Sequence, residues 1–204
     1  MEIELRSMAL TEASADALIL PVGLGLVLDP AGSAIDERLG GELSRALNAA
    51  EFSGLPGRVL TLTTLGRLPA KWIVVAGTGS DGNRVIDDIR RAWARAARAA
   101  RDAGARTVMS APPPVDVGIE FAFRAATEGV KLGLYRYLEQ RTSEREAIRS
   151  IERFTFAGSG KDAQNGIERG RNVAAGVLLA RDLVNRPANL LTPESLAAVA
   201  YKIA

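Results

Sequence analysis

The sequence predicts an α/β protein: a three-layer sandwich in which helices cover both faces of a mixed, largely parallel β-sheet. Short apolar runs alternate with longer amphipathic helical patterns along most of the 204 residues. A helix between two strands is the usual connection of parallel neighbours. The composition, 47% hydrophobic and 25% charged, is typical of a soluble globular chain.

The first half of the chain supplies two strands, an interrupted helix and a strand pair. ALILPVG is a short apolar run that ends at proline and glycine, which suits a buried strand. The helical pattern that follows is weakened at Gly40-Gly41, because glycine is a poor helix former. A turn around Pro69 separates the last two strands. The predicted bounds are strands over 3–8 and 17–23, a helix over 33–51, and strands over 57–66 and 71–77.

The second half alternates helices with strands. One strand is closed by Pro112-Pro113-Pro114, and residues 141–150 form a charged connector that we expect to be exposed. Thr192-Pro193 predicts a helix start, since threonine is a good N-cap and proline is favoured at the first helical position. The predicted bounds are helix 85–103, strand 106–110, helix 116–135, strand 153–158, helix 162–185 and a last helix from 192.

The stretch KWIVVAGTGSDG (71–82) contains a G-x-G-x-x-G pattern between a strand and a helix, where a dinucleotide-binding loop would lie. The helix, however, is predicted to begin near Val85, and the next strand ends in TVMSAPPP without the acidic residue that would bind the ribose. Asp81, Asp87 and Asp88 would also repel a pyrophosphate. The pattern therefore predicts a surface turn rather than a nucleotide site.

The helix over 85–103 is predicted to have a basic outer face. At 100° per residue, six arginines fall within about 140° of one another, opposite a face of Val85, Ile89 and alanines. The first interpretation is a solvated surface. Nucleic-acid contact and subunit contact are the alternatives, although no aromatic side chain interleaves the arginines to stack on bases. The arginines are Arg84, Arg90, Arg91, Arg95, Arg98 and Arg101.

The composition excludes several kinds of chemistry. The chain has no histidine and no cysteine, so it contains no Ser-His-Asp triad, His-ligated zinc, thiolate or disulfide. No apolar run approaches the length of a membrane span, and no secretory signal pattern begins the chain, so we expect a cytoplasmic protein. The acidic pairs Asp87-Asp88 and Glu144/Glu146 are expected to be solvated rather than to bind a metal. No catalytic, cofactor-binding or metal-binding residue is predicted in this chain.

Two segments resemble the leucyl (cytosol) aminopeptidase family. ARDLVNRPANLLTPESLA (180–197) is similar to the family pattern A-R-D-L-x-N-x-P-x-N-x-L-T-P-x-x-L-A. EGVKLGLYRYLEQRTSE (128–144) resembles E-G-x-x-L-G-x-Y-R-F-x-x-Y-K, with Tyr137 in place of phenylalanine and Gln140-Arg141 in place of Tyr-Lys. DALILPVG and GLPGRVLTLTTLGRLPAKWIVVAGTG are also similar to the family's N-terminal region.

The resemblance implies a macro-domain-like domain over 1–160, a linker helix over 161–185 and, over 186–204, the start of a C-terminal catalytic domain that is cut short. It implies a parent enzyme, usually hexameric, that releases N-terminal amino acids from peptides with two divalent metals, manganese or zinc. The family's metal ligands would follow residue 204, since N-T-D-A-E-G-R does not occur here. We therefore expect an assembly or regulatory portion without peptidase activity, and we interpret Asn185, Pro187 and Asn189 as turn residues.

Two rival functions stay open. A stand-alone macro-like module would bind ADP-ribose or a related nucleotide near Gly23 and Gly25 and the loop over 77–82, although no asparagine-rich loop follows that strand. DNA binding through the face from Arg84 to Arg101 would depend on Arg91, Arg95 and Arg98. We rank nucleic acid last among these partners, expect no membrane partner, and expect peptide to be the substrate of the missing domain.

Overall fold

A computed structural model describes residues 1–80, 82–139 and 149–203, and within them six strands and six α-helices follow one another much as predicted. In chain order the elements are β1 (Glu2–Arg6), β2 (Ala17–Gly23), α1 (Pro30–Arg38), α2 (Glu42–Ala49), β3 (Val59–Thr63), β4 (Trp72–Gly79), α3 (Ile86–Asp102), β5 (Thr107–Ser110), α4 (Ile119–Gly133), β6 (Arg153–Ala157), α5 (Lys161–Asn185) and α6 (Pro193–Ile203).

The predicted helix over 33–51 is two helices. Gly40 and Gly41 both have a positive φ, +69° and +80°, which ends α1 and redirects the chain into α2. The sequence showed the weak point, and the backbone turns there because glycine adopts this conformation at little cost.

The six strands form one sheet in the order β1-β6-β5-β2-β4-β3. All neighbours are parallel except β3, which pairs antiparallel with β4. One face packs on α3, α4 and α5, and its core includes Ile19, Val74, Trp93 and Phe154. The other face packs on α1 and α2 through Leu18, Leu20, Ile35, Leu43 and Leu47. The three-layer α/β sandwich with a mixed, largely parallel sheet is confirmed.

The helices α3, α4 and α5 pack closely because glycines lie at their contacts. A Cβ at Gly133 of α4 would lie 2.6 Å from the Ala94 carbonyl oxygen of α3. A Cβ at Gly166 of α5 would lie 2.4 Å from the Glu120 carbonyl oxygen of α4. Buried between these helices, Glu128 accepts hydrogen bonds of 2.8 Å from both Arg90 and Arg124. The helical layer is thus held by close backbone approach and by a paired buried charge.

The two C-terminal helices contribute unequally to the core. The buried residues of α5 all lie in its first part, from Ala163 to Ala174, and α6 has none. The start of α6 is the predicted one, since the Ser195 N–H donates to the Thr192 hydroxyl at 3.3 Å. Across residues 1–80, 82–139 and 149–203, every helix is too short or too polar to cross a bilayer.

Candidate functional site

A cleft of about 530 Å³ opens at the carboxyl ends of β2 and β4. The strands β4 and β5 lie on opposite sides of β2. After β2 the chain forms β3 and β4 on one side, and after β4 it crosses to form β5 on the other side. In open α/β sheets, ligands bind at such a switch point, outside the carboxyl ends of the strands. The cleft wall is largely apolar and includes Pro21, Leu24, Val27, Pro113 and Val115.

Three charged groups line the cleft. The side chain of Arg84 is only 2% exposed, donates from Nε to the Thr78 carbonyl at 2.8 Å and pairs with Asp116 at 2.6 Å. Asp29 caps α1 by accepting the Gly32 N–H at 2.7 Å, and its burial raises its pKa. Since the guanidinium already faces a carboxylate, the cleft favours an uncharged or apolar ligand over a pyrophosphate.

Two glycines of the pattern over 77–82, Gly77 and Gly79, allow close packing at this site. The strand β4 continues to Gly79, two residues beyond its predicted end. A Cβ on Gly77 would lie 2.2 Å from the Leu55 carbonyl oxygen, so glycine lets the chain over 54–56 lie directly on β4. Val85 precedes α3 as predicted, and its N–H donates to the Asp88 carboxylate at 3.1 Å. Asp81 lies outside the described residues.

The prediction of one basic outer face on α3 is wrong. Arg84 and Arg101 are buried, each 8% exposed when backbone and side chain are taken together, whereas Val85 of the predicted inner face is 56% exposed. Arg90 contacts Asp87 and Glu128, and Arg91 contacts Asp87 and Asp88. Arg95 and Arg98 are exposed, without a carboxylate partner in the part of the chain that the structure describes. Helical periodicity cannot show the neighbouring helix and loops that cover part of this face.

No group of three acidic residues that could hold a metal ion occurs within 1–80, 82–139 and 149–203. Asp87 and Asp88 both point to the Arg91 guanidinium, at 2.9 and 3.0 Å. The other pair considered from the sequence, Glu144 and Glu146, lies outside these ranges together with most of the charged connector over 141–150.

The two segments of family resemblance meet in space. Tyr135, after α4, donates its hydroxyl proton to Asp182 of α5 at 2.8 Å and accepts from the Asn185 amide at 3.2 Å. Arg186 makes an ion pair with Glu139. The Arg181 guanidinium lies 5.6 Å from the centre of the Tyr135 ring. We call this group the clasp, and its members are Tyr135, Glu139, Arg181, Asp182, Asn185 and Arg186.

The clasp revises one interpretation from the sequence. Asn185 is the last residue of α5 and bonds Tyr135, so it is part of a contact between α5 and the segment after α4 rather than a turn residue. Pro187 does begin a turn, since its carbonyl accepts the N–H groups of Leu190 and Leu191. The sequence showed both polar motifs, and these were the signal for the clasp. Because almost fifty residues separate them, the sequence did not show that they contact each other.

The geometry agrees with the comparisons with known proteins. A model of the "Cytosol aminopeptidase family, N-terminal domain" matches residues 19–144, more than half of the chain. The chain belongs to this family. It is 30% identical to a probable cytosol aminopeptidase of Alkaliphilus oremlandii, with 100% of the chain and 42% of the relative covered. A probable cytosol aminopeptidase of Thermosynechococcus vestitus is 32% identical, with the same coverage.

Several solved structures have the same fold. A tomato leucine aminopeptidase mutant superposes with a TM-score of 0.84 and 28% identity over 100% of this chain and 42% of its own. The bottromycin maturation enzyme BotP in complex with Mn superposes with a TM-score of 0.72 and 25% identity over 94% of this chain and 36% of its own. A Trypanosoma brucei macrodomain in complex with ADP-ribose has a TM-score of 0.59 and 21% identity over 84% of this chain and 69% of its own. This likeness shows the fold alone. The chain spans about 42% of the length of the two curated relatives.

Proposed function

We propose that this chain is the N-terminal assembly and regulatory portion of a metal-dependent leucyl aminopeptidase that releases N-terminal amino acids from peptides. Residues 1–160 are the macro-like domain, 161–185 the linker helix and 186–204 the start of the catalytic domain. We place the parent enzyme in the cytoplasm, as a hexamer, with peptides bound by the catalytic domain.

The observation that supports this proposal best is the clasp. It joins the segment after α4 to the last turns of α5, where that helix has left the core. Beyond it, α6 exposes apolar side chains, with Leu196 at 47% and Ile203 at 67%. A helix of eleven residues with no buried side chain has little stability by itself, so these apolar residues suit a covering domain.

The two manganese or zinc ions of the proposed parent enzyme do not fit the side chains described in this chain. A two-metal hydrolytic site needs several carboxylates that converge on both ions, and no three acidic residues converge within the described ranges. We therefore assign the ions to the catalytic domain and no catalytic step to this chain.

A peptidase assay tests the proposal. The purified chain is incubated with leucine p-nitroanilide and with a leucine-containing dipeptide, in Mn²⁺ or Zn²⁺, beside a full-length cytosol aminopeptidase as positive control. We expect release of leucine by the full-length enzyme only. Turnover by the 204-residue chain, proportional to its concentration and abolished by a chelator, would contradict the proposal.

A second function, binding of ADP-ribose or a related nucleotide, is favoured by the position of the cleft at the switch point. The Asp116 carboxylate beside Arg84 opposes it, because a pyrophosphate would have to displace this partner. We therefore rank it below the first. Calorimetric titration with ADP-ribose decides: dissociation constants in the micromolar range, lost in Gly23→Val, would reverse the order.

DNA binding through α3 is the third candidate, and the structure leaves it a smaller surface than the sequence predicted. Arg91 is already paired with two aspartates, so Arg95 and Arg98 would provide most of the attraction. DNA affinity that falls steeply with salt and is reduced by charge reversal at Arg95 and Arg98 would support it.

A further inference from the structure

The two edges of the sheet differ in how their backbone is covered. At β1 the Ile3 carbonyl, which faces away from β6, accepts a hydrogen bond from Arg171 of α5. The strand β3 forms the other edge, and no residue in the described ranges pairs with its outer side. Natural proteins protect open edges with lysine, proline or a covering element. The five residues of β3, VLTLT, include none of these.

The pairing with β4 shows which groups of β3 point outward. The Gly77 N–H donates to the Arg58 carbonyl at 2.8 Å, and the Thr64 N–H donates to the Lys71 carbonyl at 3.1 Å. Along an antiparallel strand, residues that bond to one neighbour alternate with residues whose backbone groups point to the other side. Arg58 and Thr64 bond to β4, so the even-numbered residues between them also face β4 and the odd-numbered residues face outward. The N–H and C=O groups of Val59, Thr61 and Thr63 are therefore available to a further strand.

An apolar groove lies beside this edge on the face of α2. It has a volume of about 330 Å³ and is lined by Leu43 of α2, Leu62 of β3 and Leu65 of the turn after β3, together with the charged residues Glu42 and Arg67. Leu65 is 81% exposed, and Leu60 and Leu62 are only partly buried. On this face, side chains of an added strand would contact apolar surface.

Cations lie beside the same edge on the face of α3. Arg95 donates to the Gly57 carbonyl at 2.9 Å, which places it at the start of β3. Arg98 follows almost one turn later on the same side of the helix, and Arg58 directly precedes β3. Within 1–80, 82–139 and 149–203, none of these three makes an ion pair. On this face, side chains of an added strand would meet uncompensated positive charge.

We propose that β3, the leucine groove and these arginines form a docking surface for an extended segment of another protein in which apolar and acidic residues alternate. The segment adds a strand to the sheet through backbone hydrogen bonds, and its alternate side chains enter the groove or face the arginines. A second copy of the chain fits less well, because antiparallel pairing of two β3 strands would place both arginine sets on the same face. The inference does not depend on the proposed peptidase function.

Fluorescence anisotropy with a labelled peptide of alternating valine and glutamate tests this surface. Thr61→Pro removes an outward N–H without affecting the bonds to β4, and Arg98→Glu reverses one charge. We expect each variant to weaken peptide binding by about tenfold or more. Arg136→Glu, at an arginine after α4 and away from β3, is the matched control and should change the affinity less than about twofold. Circular dichroism confirms that each variant is folded.

Two further probes keep the test decisive if Thr61→Pro fails to fold. A peptide that is N-methylated at every residue cannot donate backbone hydrogen bonds, and a valine-lysine peptide has the wrong charge, so we expect neither to bind. Equal binding of the N-methylated peptide, or no binding of the valine-glutamate peptide at millimolar concentration, overturns the proposal. Concentration-dependent dimerisation that is abolished by Thr61→Pro would assign the surface to a second copy of the chain instead. Binding of a DNA duplex that Thr61→Pro does not change, with no binding of any peptide, would assign it to DNA.

Discussion

Replacement of Gly166 by alanine tests the close packing of α5 on α4. The added Cβ would lie 2.4 Å from the Glu120 carbonyl oxygen, 3.0 Å from the Phe123 Cβ and 3.1 Å from the Arg124 nitrogen. Two of these atoms belong to the backbone of a buried helix, so no flexible side chain can move aside. The variant therefore folds only if α5 moves away from α4 by about 1 Å, which weakens neighbouring contacts in a closely packed interior.

The magnitude follows from two opposing terms. Overpacking of this kind costs about 1–3 kcal/mol, and a clash with backbone atoms belongs at the upper end. Alanine in place of glycine in a helix returns up to about 1 kcal/mol. We expect a net loss of about 2 kcal/mol, or a decrease of roughly 4–8 °C in the melting temperature of a chain of this length.

Gly176→Ala is the matched control for this substitution. Gly176 lies in the same helix and is exposed, and no atom lies within 4 Å of the position that an added Cβ would take. This variant should gain about 1 kcal/mol from helix propensity alone. Thermal melts followed by circular dichroism compare both variants with the parent chain. Equal melting temperatures for Gly166→Ala and Gly176→Ala would show that α4 and α5 are not packed as described.

Three further substitutions test other contacts. Burial acts to raise the pKa of Asp16, but hydrogen bonds from Thr107 and Arg106 outweigh it and lower that pKa. The resulting stabilisation is present above about pH 4 and is lost as pH falls through the folded-state pKa, so Asp16→Asn should flatten the acid side of a melting-temperature profile. Glu128→Gln should cost about 1–3 kcal/mol in urea unfolding, because Arg90 loses a buried charged partner. Tyr135→Phe should speed hydrogen exchange in the last turns of α5 while leaving the first turns unchanged.

The fold could be predicted from the sequence because the relevant signals are local. Apolar runs indicated every strand, and helical periodicity with glycine and proline indicated the α-helices to within a few residues, except that α1 and α2 were predicted as one helix. The Arg84–Asp116 pair in the cleft could not be predicted, because it joins residues that only the fold brings together. The same limit explains the error on α3, where burial of Arg101 depends on elements distant in the sequence.

Polar residues of the two motifs that indicated the family contact one another within the chain. The Tyr135 hydroxyl is satisfied by Asp182 and Asn185, and Glu139 by Arg186, so these polar groups are engaged with one another. Hydrogen bonds across two segments fix both distance and direction, which apolar contact alone would not do. Because the clasp lies where α5 leaves the core, it sets the direction in which the chain continues.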